Sequence, residues 1–284
     1  MILIAYSGSE QTDWTLVSRK GVQIHRFRSQ GYNPHYVSGP EIITDIARSL
    51  PKSLAPDTVR QIYFYGARLS RPHDGLMRQY LLDVFKKTDS IFIALDLLGA
   101  ARALLGDKPG FAAILGTGTN TCIYDGGAGI FNIDSLGFLL GDEGSAAYLG
   151  KRLVSDFIRG ELPLSVRKTV ADAFGISRDE LIDRLYTQPS PNRFCARYSR
   201  FIKYHLHSHP YFQNLVLDGF RAFFHNIVSR YPDYRKYTFN CVGPTGYDFR
   251  DQLTLVAAEY GMTVGTILPD PMDGLVRYHT QGRL

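Results

Sequence analysis

The sequence predicts an α/β protein of two domains, and three observations carry that prediction. The first is a turn that occurs twice. Ile2-Leu3-Ile4-Ala5 enters Ser7-Gly8-Ser9 and leaves through Trp14-Thr15-Leu16-Val17, and Phe111-Ala112-Ala113-Ile114-Leu115 enters Thr117-Gly118-Thr119 and leaves through Thr121-Cys122-Ile123-Tyr124. Both read as strand, hydroxyl–Gly–hydroxyl turn, strand. The second is an alternation of strand-like and helical runs after the first turn. The third is Gly106-Asp107-Lys108-Pro109-Gly110, which punctuates the chain just before the second turn. The first domain is therefore expected over residues 1–110. The second is expected over 111–269 with a helical insertion, and about 270–284 is expected to return to the first.

Taken in order, residues 1–29 read as two or three strands, with Val22–Phe27 alternating in period two. Ser29–Pro40, with Gly31, Pro34 and Gly39, reads as loop. Ile42, Ile43, Ile46 and Leu50 fall at helical spacing. Gln61–Tyr65 is a strand ending at Gly66, Leu76–Phe85 a helix, Ile91–Leu95 a strand and Leu97–Leu105 a helix. In the second half Ala146, Leu149, Leu153 and Phe157 form an apolar helical stripe. Arg197–Tyr231 is helical, Tyr237–Val242 a strand, Leu253–Tyr260 a helix and Asp273–His279 a short helix. Gln188–Asn192 reads as an exposed loop.

Composition narrows the function classes. A charge of +5 from 32 basic and 27 acidic scattered residues accommodates an anionic ligand but does not argue for nucleic acid or membrane. The 18 Tyr and 17 Phe read as core and interface filler. Three cysteines are too few and too dispersed for a disulfide framework, and the lack of a CxxC pair argues against a cysteine-bound metal within one chain. No signal peptide and no bilayer-length apolar run is read, so a cytoplasmic protein is expected.

A glycine between strands lets backbone N–H groups converge, and flanking hydroxyls add donors, which suits phosphate. An ordinary hairpin is the plain alternative. Gly116-x-Gly118-x-x-Thr121 lacks the third glycine of a dinucleotide fingerprint. Gly144–Arg152 imitates a Walker loop, with one residue too many and Arg where Ser/Thr should stand. Asp96 follows a strand and opens a helix, which suits a general base and equally a helix cap. Gly137–Ser145, with Asp142 and Glu143 at a helix start, suits either dipole capping or the hydroxyls of a sugar. His205, His207 and His209 read as a solvated helix end rather than a metal site.

Together these segments resemble the BadF/BadG/BcrA/BcrD-type ATPase family, in its N-acetylglucosamine-kinase-like branch. The resemblance is densest over Ile114-Leu-Gly-Thr-Gly-Thr-Asn-Thr121 and Leu136-Gly-Phe-Leu-Leu-Gly-Asp-Glu-Gly-Ser145. It implies the actin/hexokinase-like (ribonuclease H-like) fold with ATP and substrate between two α/β domains. It makes Asp96 the base for the sugar 6-hydroxyl. Gly137, Phe138 and Asp142 match the amino-sugar positions. Ser7, Gly8, Ser9 and Thr12, then Gly116, Thr117, Gly118 and Thr119, match the two phosphate turns, and Gly243 the adenosine side. ATP, Mg²⁺, an N-acetylhexosamine acceptor and a homodimer are implied with them, with no choice among N-acetylglucosamine, N-acetylmuramic acid and glucosamine. The first turn departs from the pattern. Relatives resemble Ala-Asp-Ser-Gly-Ser-Thr-Lys-Thr, whereas Tyr6, Glu10 and Gln11 stand here for the acid, the hydroxyl and the cation. Tyr is neutral at pH 7, and Glu10 adds negative charge beside a polyanion, so a silent sugar-binding relative is the competing expectation. Pro244 also removes a backbone donor on the adenosine side. The family's activator branch, with an iron–sulfur cluster between subunits, is set aside because the cysteines miss its motifs.

Overall fold

The computed structural model describes residues 1–32, 37–67, 69 and 73–280, His73 by its backbone alone. Pro34 of the expected 29–40 loop and the last four residues of the chain lie outside the described residues. Two units emerge from the packing: Met1–Pro109 with Tyr124–Ile130 and Asp270–Leu284, and Gly110–Ile123 with Phe131–Pro269.

In the first unit β1 (Ile2–Ser7), β2 (Gln11–Val17), β3 (Gln23–Gln30), β4 (Gln61–Gly66) and β5 (Ser90–Leu95) form one sheet in the order β3-β2-β1-β4-β5. β1, β2 and β3 pair antiparallel, while β1, β4 and β5 pair in parallel. Parallel pairing needs crossover helices; α1 (Gly39–Ser49) lies on the way to β4 and α2 (His73–Val84) between β4 and β5, while α3 (Asp96–Leu105) follows β5. Ile42 and Ile46 of α1 and Leu81 of α2 bury against Leu3, Trp14, Ile62 and Phe64 of the sheet. The strand expected to end near residue 29 runs to Gln30, because its edge pairs with β2 through Gln11↔Gln30.

The second unit repeats that plan. β6 (Gly110–Leu115), β7 (Thr119–Tyr124), β8 (Ile130–Asn132), β9 (Phe239–Val242) and β10 (Val264–Leu268) lie in the order β10-β9-β6-β7-β8. Its helices are α4 (Gly137–Leu140), α5 (Ala146–Arg159), α6 (Leu164–Phe174), α7 (Arg178–Thr187), α8 (Pro191–Ala196), α9 (Tyr198–Tyr204), α10 (Pro210–Asn226), α11 (Pro244–Asp248) and α12 (Arg250–Glu259). Leu149 and Leu153 of α5 pack with Phe220, Phe223 and Phe224 of α10 and Phe111 and Phe239 of the sheet, so part of the aromatic load is core, while Phe131, Tyr186 and Tyr204 are exposed. The expected loop at 188–192 ends early: Pro191 takes the first position of α8, where a missing N–H costs nothing.

α13 (Met272–Thr280) belongs to the first unit, and His279 stacks on Tyr63 with ring centroids 3.7 Å apart. Tyr124–Ile130 also packs there. The Tyr124 hydroxyl donates to the carbonyls of Gly106 and Gly127, and Arg102 donates to Gly127 O. Among the described residues no helix is long and apolar enough to cross a membrane.

The second unit has a polar pin. The Tyr231 hydroxyl, on a buried ring, accepts the Ile133 N–H at 2.8 Å and donates to Thr121 O at 2.9 Å. Removing it leaves the half-buried Ile133 N–H and the buried Thr121 hydroxyl, which lies 2.9 Å from it, without this partner, while Thr121 O keeps a second donor in Asn132 Nδ2 at 2.7 Å. Tyr231→Phe is expected to cost about 1–3 kcal/mol in urea unfolding; a change under about 0.5 kcal/mol would show that water takes over both partners.

Candidate functional site

The second hydroxyl–Gly–hydroxyl turn is shaped by what its carbonyls do. Gly116 N–H closes it on Gly118 O at 3.0 Å. The first turn of α5 then caps it from behind, with Ala146 N–H on Gly116 O at 2.9 Å and Ala147 N–H on Thr117 O at 3.1 Å. Thr245 Oγ1 donates to Gly116 O as well, at 2.9 Å. Carbonyl oxygens repel an anion, and here those of Gly116 and Thr117 are taken up by the protein. Thr119 Oγ1 is buried without a hydrogen-bond partner among the described residues. A buried hydroxyl with no partner costs free energy that a ligand oxygen could return. These residues fit the phosphates of a nucleotide.

Asp142 fixes the same turn from the side. Its Oδ1 accepts the Thr119 N–H at 3.1 Å and the Ser135 hydroxyl at 3.1 Å. Its Oδ2 lies so close to Gly118 that a Cβ there would sit 2.9 Å away, so any side chain at 118 would push the carboxylate from its place. Asp142 is 8 % exposed and has a positive φ of 56°. Burial pushes its carboxyl above the usual range, while Thr119, Ser135 and Lys151 pull it back. Gly137 and Phe138 precede it on α4. Lys151 Nζ donates to Phe138 O at 2.6 Å and lies 4.8 Å from the Phe138 ring centroid. Gly243 comes to the same sheet edge, because Ile114 pairs with Val242 and the Gly243 N–H donates to Leu268 O at 2.9 Å. Pro244 takes the first position of α11, where no donor is lost to the helix.

In the first unit the register aligns Ser7 with Gly66 and Gly66 with Leu95. The first turn and Asp96 therefore share the carboxyl end of the parallel strands, where open α/β sheets bind ligands. Asp96 Oδ1 accepts the Leu97 N–H at 2.9 Å. Burial pushes its carboxyl up to about 6, against the pull of the Leu97 and Asp96 N–H groups. A carboxylate poised near neutrality suits a base. Two turns on, Arg102 anchors α3. Its Nη1 donates to Tyr65 OH at 2.9 Å, and its guanidinium lies 5.0 Å from the ring centroids of Phe92 and of Tyr278. Sequence reading missed Arg102; the one cation inside Leu97–Leu105 was the available signal.

The first turn differs from the second. Thr12 Oγ1 bonds Ser7 Oγ at 2.8 Å and donates to Gln30 O at 2.8 Å, and Ser7 Oγ accepts the Tyr32 N–H at 3.1 Å. Both hydroxyls are buried and knit β1, β2 and the end of β3. The Gly8 N–H is taken by Gln11 O at 2.9 Å, and the Gly31 N–H holds Glu10 O at 3.0 Å. Ser7, Gly8 and Thr12 are thus spent on the fold. Nor does this turn fit Mg²⁺. Tyr6 pairs across the strands with Asp13, whose carboxylate is held by Arg28 at 2.8 Å and Gln11 at 3.0 Å.

The histidine run ends as caps. His205 closes α9, and His209 Nδ1 accepts the Tyr211 N–H at 3.1 Å to open α10. Among the described residues no group of three His, Cys, Asp or Glu could hold a metal.

No protein-family model matches the chain, and no curated protein matches it. Solved structures do. A protein described as a putative N-acetylglucosamine kinase, from Porphyromonas gingivalis, is 35% identical with a TM-score of 0.93, over 100% of both chains. Another so described, from Chromobacterium violaceum, is 18% identical with a TM-score of 0.71 over 98% of each chain. The ethanolamine utilization protein EutJ from Carboxydothermus hydrogenoformans is 13% identical with a TM-score of 0.56, over 99% of this chain and 89% of that one. The last two speak for the fold alone, which is the actin/hexokinase-like α/β fold. On its full-length likeness to the Porphyromonas gingivalis protein, the chain belongs to that protein's family.

Proposed function

We propose that this chain is an ATP-dependent amino-sugar kinase of the BadF/BadG/BcrA/BcrD-type family, N-acetylglucosamine-kinase-like branch. Its acceptor is N-acetylglucosamine or a similar N-acetylhexosamine, phosphorylated at the 6-hydroxyl. The observation that carries this reading is the end-to-end match, at 35% identity, to a protein described as a putative N-acetylglucosamine kinase. Asp96 is assigned the proton of the acceptor hydroxyl. Gly116–Thr119 are assigned the phosphates, and Gly137, Phe138 and Asp142 the sugar. Phosphoryl transfer asks mainly for in-line positioning and for stabilisation of charge on the transferred group. The Thr119 hydroxyl of the second turn, which has no partner among the described residues, suits the latter, and no step is assigned to a metal at the first turn.

One observation favours a second reading, a protein that binds the sugar without turnover. The Ser7 and Thr12 hydroxyls satisfy each other and the backbone, and the Gly8 N–H is used within the turn. An ADP-release assay with ATP, Mg²⁺ and a panel of amino sugars separates the two. The kinase gives ADP in step with sugar phosphate, strongest with an N-acetylhexosamine. The silent protein gives none, yet N-acetylglucosamine at about 100 times its Kd adds about 2.7 kcal/mol of stability while ATP adds nothing. A chain that neither releases ADP nor is stabilised by any amino sugar defeats both readings.

A further inference from the structure

Asp142 faces two ways at once. Its carboxylate belongs to the phosphate turn, through Thr119 N–H and the close approach at Gly118. Its backbone belongs to the loop carrying Gly137 and Phe138: the Asp142 N–H donates to Ser135 O at 2.9 Å, and Ser145 N–H donates to Asp142 O at 3.1 Å. The loop between has a tied backbone and exposed apolar side chains. Leu136, Leu139 and Leu140 are 62, 82 and 78 % exposed. Gly141 sits so tightly on Ser135 O that a Cβ would lie 2.0 Å away. The positive φ at Leu136 and Asp142, neither of them glycine, confines both ends of this loop to the narrow left-handed region. A ligand pressing on residues 136–141 therefore shifts the carboxylate as a unit rather than being absorbed by local torsions.

We propose that Asp142 is a positioning residue that couples the acceptor sugar on the 136–141 loop to the phosphate turn at Gly116–Thr119, so that sugar binding orders the turn. The inference rests on the reading of that loop as the sugar site. Its own content is that the Asp142 carboxylate acts through Thr119 N–H and is not spent on the sugar alone. Coupling of this kind is reciprocal: whatever factor the sugar gains for a ligand on the turn, that ligand gains for the sugar.

The test is amide hydrogen exchange at Thr119 in the full chain, with and without N-acetylglucosamine, beside calorimetry of the same sugar. In the wild type saturating sugar is expected to slow Thr119 exchange about tenfold. Asp142→Ala, compared at a sugar concentration that calorimetry shows to saturate the variant, should abolish that response. Asp142→Asn keeps an oxygen able to accept the Thr119 N–H and should restore it to within about threefold. Ser135→Ala removes one bond to the carboxylate and should weaken the response partly, which keeps the test open should Asp142→Ala fold poorly. Sugar binding by calorimetry with Thr119 exchange unchanged overturns the coupling and leaves the acceptor reading standing. An Asn variant as unresponsive as Ala overturns it too. Absence of sugar binding in the wild type defeats the acceptor reading, and the coupling with it.

Discussion

Asp96→Asn is expected to lower kcat about 1,000-fold while raising the melting temperature at pH 8. The loss follows from the removal of a general base, a role worth about 10²–10⁴ in rate. The gain follows from burial. The Asp96 carboxyl ionises near 3.8 when free and is pushed up to about 6 in the fold. Below pH 3.8 both states are protonated and burial costs no ionisation energy. Between 3.8 and about 6 the unfolded chain ionises first, so stability falls as pH rises. Above about 6 the full penalty stands, up to about 3 kcal/mol, since each tenfold change in acidity is worth about 1.4 kcal/mol. Asp96 keeps some solvent contact, and the screening makes that an upper figure. Asn is neutral and can still accept the Leu97 N–H, so it escapes the penalty. The stability difference between variant and wild type should be largest above pH 6 and shrink toward pH 4. In the wild type, kcat should fall as pH drops below about 6. Measured kcat within tenfold of wild type would remove Asp96 as the base. A variant less stable than wild type at pH 8 would overturn the burial argument.

The architecture was legible because its signals are local. Ile2–Ala5 and Phe111–Leu115 are short apolar runs, and both are the central strands of their sheets. Alternation over Val22–Phe27 was a fair sign of an edge strand with one face in solvent. What stayed hidden depends on partners far away in sequence. Val264–Leu268 has strand-forming Val, Thr and Ile but is interrupted by Gly265 and buries none of its residues fully, so no apolar alternation announces the edge strand that pairs with β9. Thr12 was legible as a hydroxyl near Ser7, but Tyr32 N–H and Gln30 O, which complete its network, are supplied by the end of β3 and the residues after it. The first turn thus resembles the second in sequence and differs in use, since its hydroxyls have neighbours on the sheet and Thr119 Oγ1 has none among the described residues. Asp142 was visible as a carboxylate at a helix start. Its grip on Thr119 depends on a left-handed backbone and on contact across 23 residues of chain, which no local pattern reports.

Trp14→Ala is expected to cost the first unit about 3–5 kcal/mol, the range for deleting a fully buried large aromatic side chain. Trp14 is 0% exposed and central. It stacks on Phe27 at 5.7 Å with the planes 1° apart, and meets Tyr32 and Phe64 edge-on at 6.5 and 5.7 Å. Its Nε1–H donates to Ser29 Oγ at 2.8 Å. Truncation removes the indole from β2, β3 and β4 contacts together, and strand neighbours on a pleated sheet cannot close such a gap without breaking their pairing. The cavity also undercuts Tyr32, whose N–H holds Ser7, so the first turn should loosen with it. Trp14→Phe keeps a ring in the stack and loses the indole bond and part of the area, for about 1–2 kcal/mol. Because the chain has a single tryptophan, wild-type fluorescence follows the first unit alone; the variants are compared by calorimetry, where two transitions are resolved separately if the units melt apart. Equal losses for Ala and Phe would show that the hydrogen bond, and not the stack, carries the energy. A loss under about 1 kcal/mol for Ala would mean that the sheet can refill the space and that Trp14 does not hold the first turn in place.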